Sequence, residues 1–126
     1  MNLVEILGIL FIHWIADFVL QTDTQAKNKS TSFYWLCGHT AMYTLVWTVI
    51  GAFYTAKYNF TEQGIINLLL FVVITFTAHT ITDYFTSRLN SRLWSAGKVH
   101  NFFVSIGFDQ WLHYAQLFIT YWYLTR

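Results

Sequence analysis

The sequence predicts an all-α protein that spans a membrane as a polytopic bundle of four transmembrane helices. Its 126 residues are 56% hydrophobic and 21% aromatic, and only 10% are charged. A soluble domain of this length would need a charged surface, and seven basic plus six acidic residues are too few to cover one. We therefore expect a lipid bilayer to be its solvent.

Four apolar segments are long enough to cross the hydrocarbon core, which takes about 20 helical residues. They predict helices over residues 3–20, 33–56, 64–85 and 102–123, in a single transmembrane domain, 1–126. The motif HWIADF at 13–18 is echoed by HTITDYF at 79–85, two spans later. That similarity favours two helical hairpins in parallel repeat.

Basic residues are concentrated in the first and third polar connections, residues 21–32 and 86–101. Because these connections lie on one side of a four-span protein, that side holds five basic residues, against Lys57 and Arg126 on the other. The positive-inside rule places the richer side in the cytoplasm. We expect a multi-pass protein of the bacterial inner membrane with both termini outside the cytoplasm.

Charge and cysteine content narrow the choice of partners. A net charge of +1 and the lack of a basic run interleaved with aromatics argue against nucleic acid. The single cysteine, Cys37, excludes an internal disulfide and a thiolate metal cage. Membrane lipids are the expected partners, a homo-oligomer is a further option, and nothing identifies a protein partner.

Seven ionisable side chains fall inside the predicted spans, where an aspartate at a helix centre costs ~2.5–3.5 kcal/mol. No basic residue lies within the spans to neutralise the three carboxylates. Three of the four histidines are each four residues from an aspartate, so that each pair lies on one helix face. The seven residues are His13, Asp17, His39, His79, Asp83, Asp109 and His113.

The order of residues in these pairs is the stronger observation. The first and third spans run toward the basic connections and read His then Asp, whereas the fourth runs away from them and reads Asp then His. The paired histidines therefore form one layer and the aspartates another, about 6 Å apart, with the aspartates nearer the basic side. His39 is expected to fall between or beside the two layers. A lone intramembrane His or Asp is usually an interhelical hydrogen-bonding residue. The evidence for one site is that the three His/Asp pairs lie at the same depth in their helices.

Three carboxylates held together in low dielectric would repel one another or protonate unless a cation joined them. Imidazole and carboxylate suit zinc first, and also manganese or iron. We expect one or two divalent ions among the seven residues, with Asp17 as a ligand or free to act as general base. Basic residues beside the aspartate layer are expected to bind a substrate phosphate, or else only to set topology. They are Lys29, Arg88, Arg92 and Lys98.

The run HWIADFVLQ at 13–21, followed by Asp23, Ala26 and Lys29, resembles a family of small bacterial and phage membrane proteins known only as a domain of unknown function. His39, the 79/83 pair and the run GFDQWLH at 107–113 are similar to the same family, so the resemblance covers nearly the whole chain. It implies a membrane location and little else. A looser similarity, in the His and Asp pairs, is to bacterial inner-membrane proteins labelled metal-dependent hydrolases.

We interpret the pattern as a metal-dependent membrane hydrolase that acts on a lipid or lipid-linked phosphoester. The chain has no Gly-x-Ser-x-Gly turn and no Cys/His nucleophile pattern for covalent acyl chemistry. One alternative is a metal-ion or proton transporter or channel subunit, although the helices beyond the histidine layer are largely apolar. Others are a bis-histidine haem bundle, which leaves the aspartates unexplained, and an accessory phage or bacterial membrane protein that acts through a protein partner.

Overall fold

The computed structural model describes all 126 residues and contains no strand, so the all-α prediction is confirmed. A π-helical turn, Ile15–Val19, continues the first helix. The helices, in chain order, are α1 (Leu3–Trp14), α2 (Asp23–Asn28), α3 (Phe33–Tyr58), α4 (Glu62–Ser95) and α5 (Val99–Leu124).

Side-chain caps explain where three of the helices begin. The side chains of Asn2 and Thr22 each accept a bond from the backbone N–H three residues on, and the side chains of Glu5 and Gln25 accept one from the cap's own N–H. These reciprocal bonds are capping boxes. Thr61 starts α4 by accepting from the N–H three residues on. The second capping box creates α2 inside a connection for which the sequence predicted no helix.

The helix α4 runs to Ser95, whereas the span predicted for it ends at residue 85. Only residues 96–98 separate it from α5, where the sequence predicted a polar connection over 86–101. The turn depends on Gly97, whose φ is 67°. The N–H groups of Gly97 and Lys98 bond to the carbonyls of Trp94 and Leu93, so α4 ends in a Schellman motif. The polar residues after 85 therefore lie on helix faces, not in a loop.

Polar side chains occupy the interior of this fold. The helix α4 packs along both α3 and α5, and the π-helical turn packs on α3. Of 20 buried residues, 13 are polar or charged and six are hydrophobic, whereas water-soluble folds favour the reverse. Large hydrophobic side chains are exposed on every long helix, among them Phe11, Phe53, Leu69 and Phe103.

Two helices, α3 and α4, are long and apolar enough to cross a membrane by length and composition. A core helix of a soluble protein can pass the same test, but it would be enclosed by other elements. Here only 33% of the most apolar stretch of α3 and 17% of that of α4 are buried. Most residues of these two stretches are therefore not buried.

Candidate metal centre

The structure brings the seven side chains predicted as ligands into one connected cluster between α1 with its π-helical turn, α3, α4 and α5. None of the seven is more than 9% exposed. His13 lies on α1, Asp17 on the π-helical turn and His39 on α3. The helix α4 carries His79 and Asp83, and α5 carries Asp109 and His113.

Four of these residues form a first metal-binding group, called group 1: Asp17, His39, His79 and Asp83. The Nε2 atom of His39 lies 3.1 Å from Asp17 Oδ1 and 3.3 Å from Asp83 Oδ2. The Nε2 atom of His79 lies 3.4 and 3.7 Å from the same two oxygens. The two Nε2 atoms are 3.3 Å apart. Each residue thus contributes one donor atom to a common centre.

These separations match the spacing of ligands around zinc. Zinc ligands lie about 2.0–2.1 Å from the ion in a tetrahedron, which places neighbouring ligand atoms about 3.3 Å apart. Five of the six separations within group 1 range from 3.1 to 3.7 Å, and all six are within 4.8 Å. Group 1 can therefore hold a metal ion.

A second group, called group 2, consists of Asp83, Asp109 and His113. The Nε2 atom of His113 lies 3.1 Å from Asp83 Oδ1 and 3.4 Å from Asp109 Oδ1. Asp83 therefore presents Oδ2 to group 1 and Oδ1 to group 2. Two-metal hydrolytic sites hold their ions about 3.5–4 Å apart, a separation that a single carboxylate can bridge.

Gln110 and Thr86 hold the carboxylates of Asp17 and Asp109 in position. Gln110 Nε2 donates to Asp17 Oδ2 at 3.0 Å and to Asp109 Oδ2 at 3.1 Å. The Thr86 hydroxyl donates to Asp109 Oδ1 at 2.6 Å. Hydrogen-bonding neighbours of this kind orient metal ligands and tune their affinity. Thr86 lies three residues after Asp83, and that helical spacing is the signal by which it could have been found.

His13 belongs to neither group. Its Nδ1 lies 2.8 Å from the Tyr43 hydroxyl, and its Nε2 lies 2.8 Å from Gln110 Oε1. Both ring nitrogens therefore have protein partners in this structure. Tyr43 also stacks on His79, with ring centroids 3.8 Å apart. Sequence reasoning overlooked Tyr43, although it lies four residues after His39 on the same face of α3.

Lys29 lies inside the centre, not on the rim predicted from the sequence. Its Nζ is 2.8 Å from Asp83 Oδ2, and only 20% of its side chain is exposed. Burial alone would lower the pKa of this ammonium, but the carboxylates of Asp83 and Asp17 more than offset that effect and raise the pKa. The ammonium therefore stays charged and neutralises part of the carboxylate charge.

An open cleft of about 600 Å³ leads to the aspartate side of the centre. Asp17, Asp109 and Lys29 lie in its wall. Of the four basic residues predicted to bind substrate, Lys29 alone lines this cleft. The other three lie elsewhere: the Arg88 guanidinium sits 3.7 Å from the centroid of the Tyr84 ring, and Arg92 and Lys98 are exposed.

The model of a family described as "Protein of unknown function (DUF3307)" matches residues 6–126. The chain belongs to the DUF3307 family. The resemblance to an uncharacterised domain family is thereby confirmed. Every residue of groups 1 and 2 lies within the matched region of this DUF3307 protein. No curated protein and no solved structure matches the chain.

Proposed function

We propose that this DUF3307 protein is an integral-membrane hydrolase that uses zinc bound in group 1 to cleave a lipid or lipid-linked phosphoester. The observation that carries the proposal is the spacing of three buried donor atoms, on His39, His79 and Asp83, at the distances of zinc ligands, beside a cleft that reaches Asp17. Four helices cross the inner membrane in this proposal, and both termini lie outside the cytoplasm.

The distribution of polarity supports a lipid environment. A bilayer favours apolar side chains outside, and it requires buried polar groups to find their partners within the protein. This chain has that arrangement, with 13 polar residues among its 20 buried ones and aromatic side chains such as Phe53 and Phe103 outside. In the proposal, α1 with the π-helical turn and α5 join α3 and α4 as spans.

His39, His79 and Asp83 are the proposed zinc ligands, and Asp17 is the general base. Two histidines and one carboxylate, with a fourth position left open, form the ligand set of several zinc hydrolases. Asp17 suits the role of base because it lines the cleft and its Oδ1 lies 3.1 and 3.4 Å from the Nε2 atoms of the two proposed histidine ligands. Gln110 holds the other oxygen of Asp17 and so fixes the carboxylate. Manganese or iron would accept the same ligands.

The proposed reaction adds water to phosphorus and breaks the phosphorus–oxygen ester bond. Bound zinc supplies Lewis-acid chemistry, since it withdraws charge from a phosphoryl oxygen and lowers the pKa of water. Asp17 Oδ1 accepts the proton of the attacking water and then returns it to the departing alcohol oxygen. The Lys29 ammonium, 2.8 Å from Asp83, faces the negative charge that develops on the phosphoryl group. The products are an alcohol and a phosphate that carries the new oxygen.

The alternative of a transporter or channel would need a polar path that continues from the centre across the membrane. Ile9, Trp47 and Leu117 each lie one helical turn beyond a polar residue of the centre, and together they belong to the apolar core. At the same level Gln116 Nε2 donates to the hydroxyls of Thr75 and Thr120, so this region is not wholly apolar. The seven buried His and Asp side chains nevertheless form one cluster, which favours an enzyme over a conduit.

Elemental analysis of detergent-purified protein, prepared without chelator, tests the metal centre. We expect stoichiometric zinc in the wild type, loss of the group 1 ion in His79→Ala and loss of all zinc in Asp83→Ala. The matched control is His100→Ala, because His100 is exposed and belongs to neither group, and this variant should keep its zinc. A folded wild type without metal would refute the centre.

Turnover of phospholipid in mixed micelles tests the reaction. The zinc-loaded wild type should release a phosphate-bearing product. Asp17→Asn should keep its zinc and lose turnover by roughly 100-fold or more, the typical contribution of a general base. Zinc-loaded protein that hydrolyses no lipid phosphoester would refute the proposed reaction while leaving the metal centre intact.

A further inference from the structure

The cleft beside the centre contains polar side chains that have no partner within the protein. The side-chain oxygens of Gln21, Ser87 and Asn90 are buried and make no hydrogen bond. All three residues line the cleft, and Ser87 is only 8% exposed. Because buried polar groups are normally paired, three orphans in one wall indicate a ligand that completes them.

The chemistry of these orphans narrows the class of ligand. A carboxamide offers both an acceptor oxygen and N–H donors, and a hydroxyl both donates and accepts. A bare phosphate only accepts, so it would leave the oxygens of Gln21 and Asn90 unpaired. Ligand hydroxyl groups would pair with them. Lys27 and Lys29 lie in the same wall as Asp17 and Asp109, and they provide the positive charge that a negatively charged ligand would need there.

An apolar part of the wall continues onto the outer surface of the molecule. Phe18, Trp94 and Phe103 line the cleft, yet they are 46%, 59% and 62% exposed. A ligand with a polar head in the cleft could therefore lay a hydrocarbon chain along these rings and into the surrounding lipid. The cleft has the two-part character that an amphiphile requires.

We propose that the cleft binds the headgroup of an anionic phospholipid that carries hydroxyl groups. Gln21, Ser87 and Asn90 hydrogen-bond to the headgroup hydroxyls, and Lys27 and Lys29 face the phosphodiester. This inference rests on the proposed function, because it names the substrate class for the same centre. Phosphatidylglycerol has this chemistry. Phosphatidylcholine lacks it, since its headgroup has no hydrogen-bond donor and ends in a cation.

Native mass spectrometry of the full chain in detergent tests the inference, with phosphatidylglycerol, phosphatidylcholine and water-soluble glycerol phosphate as separate probes. We expect phosphatidylglycerol to bind about tenfold more tightly than phosphatidylcholine, as one or more additional hydrogen bonds would produce. Ser87→Ala and Asn90→Ser should each weaken that binding up to about tenfold. Thr77→Ala, on an exposed position of α4, is the matched control and should bind like the wild type.

Equal affinity for the two lipids, or unchanged binding by both Ser87→Ala and Asn90→Ser, would overturn the inference. Glycerol phosphate that binds as tightly as phosphatidylglycerol would overturn the assignment to a lipid and identify a free phosphoester. Zinc is measured on the same samples, so the two proposals can fail separately. Zinc without selective lipid binding overturns the headgroup inference alone, and selective binding without zinc overturns the metal proposal alone.

Discussion

Asp83→Asn is the substitution that best tests whether the two metal groups form one shared centre. The two oxygens of Asp83 face different groups, Oδ2 toward His39 and His79, and Oδ1 toward His113. Asparagine keeps the shape of the side chain, removes its negative charge and turns an N–H donor toward one of the groups. We expect this variant to lose metal from both groups, whereas Asp109→Asn alters group 2 alone.

The size of the effect follows from the contacts of Asp83. Changing a hydrogen-bonding neighbour of a metal ligand typically weakens metal affinity by about 10–100-fold, so losing a coordinating carboxylate should exceed about 100-fold. The substitution also removes the partner of Lys29, whose ammonium lies 2.8 Å away. Removing one member of a buried ion pair costs roughly 3–5 kcal/mol. The metal-free variant should therefore unfold at a lower temperature than the metal-free wild type.

The assay is zinc per chain after dialysis, with thermal unfolding measured in the same detergent. With one ion in each group, the expected zinc content is two ions for the wild type, one for Asp109→Asn and none for Asp83→Asn. Asp23→Asn is the matched control, since Asp23 is exposed on α2 and should leave the content unchanged. Two ions retained by Asp83→Asn would refute the bridging carboxylate, and complete loss in Asp109→Asn would refute an independent group 1.

Lys29→Met should lower the stability of the metal-free protein by roughly 3 kcal/mol, and added zinc should recover most of it by replacing the lost positive charge; equal loss with and without zinc would contradict this. Thr86→Val removes the hydroxyl that donates to a group 2 carboxylate, so zinc titration should find group 2 affinity about 10–100-fold weaker and group 1 unchanged. Gly64→Ala would drive a methyl group into the Asn59 carbonyl oxygen, whereas Gly8→Ala meets nothing within 4 Å; thermal unfolding should find the first variant destabilised and the second stabilised by up to about 1 kcal/mol. Alkaline phosphatase fused to the C-terminus should be active outside the cytoplasm, and an inactive fusion beside an active cytoplasmic reporter would reverse the proposed topology.

Much of the centre could be predicted because its residues follow helical spacing. The pairs 79/83 and 109/113 lie on inward faces of α4 and α5, and four residues per turn was enough to indicate that each pair serves one site. The reversed order of the second pair anticipated that the helices run antiparallel. Lys29 could not be placed in this way, since it lies just after α2, where the helical periodicity of the long helices does not apply.

The end of α4 illustrates a limit of hydropathy as a guide to structure. Polar and basic residues after position 85 suggested a loop, but they lie on a helix that continues to Ser95. Composition shows where the apolar residues end, and that depends on the solvent around the chain and not on its secondary structure. The helix itself stops where Gly97 adopts a positive φ and the Schellman bonds form.

The sequence by itself determined that the protein is all-helical, where its long apolar segments lie and which seven polar residues occupy them, because hydropathy and helical periodicity are local properties. Only the tertiary structure decided how those residues share their roles. The π-helical turn orients Asp17 toward His39 and His79, Tyr43 and Gln110 engage His13, and Lys29 reaches Asp83. Each of these contacts joins side chains from different parts of the chain, and the spacing of residues within one helix does not predict which of them will meet.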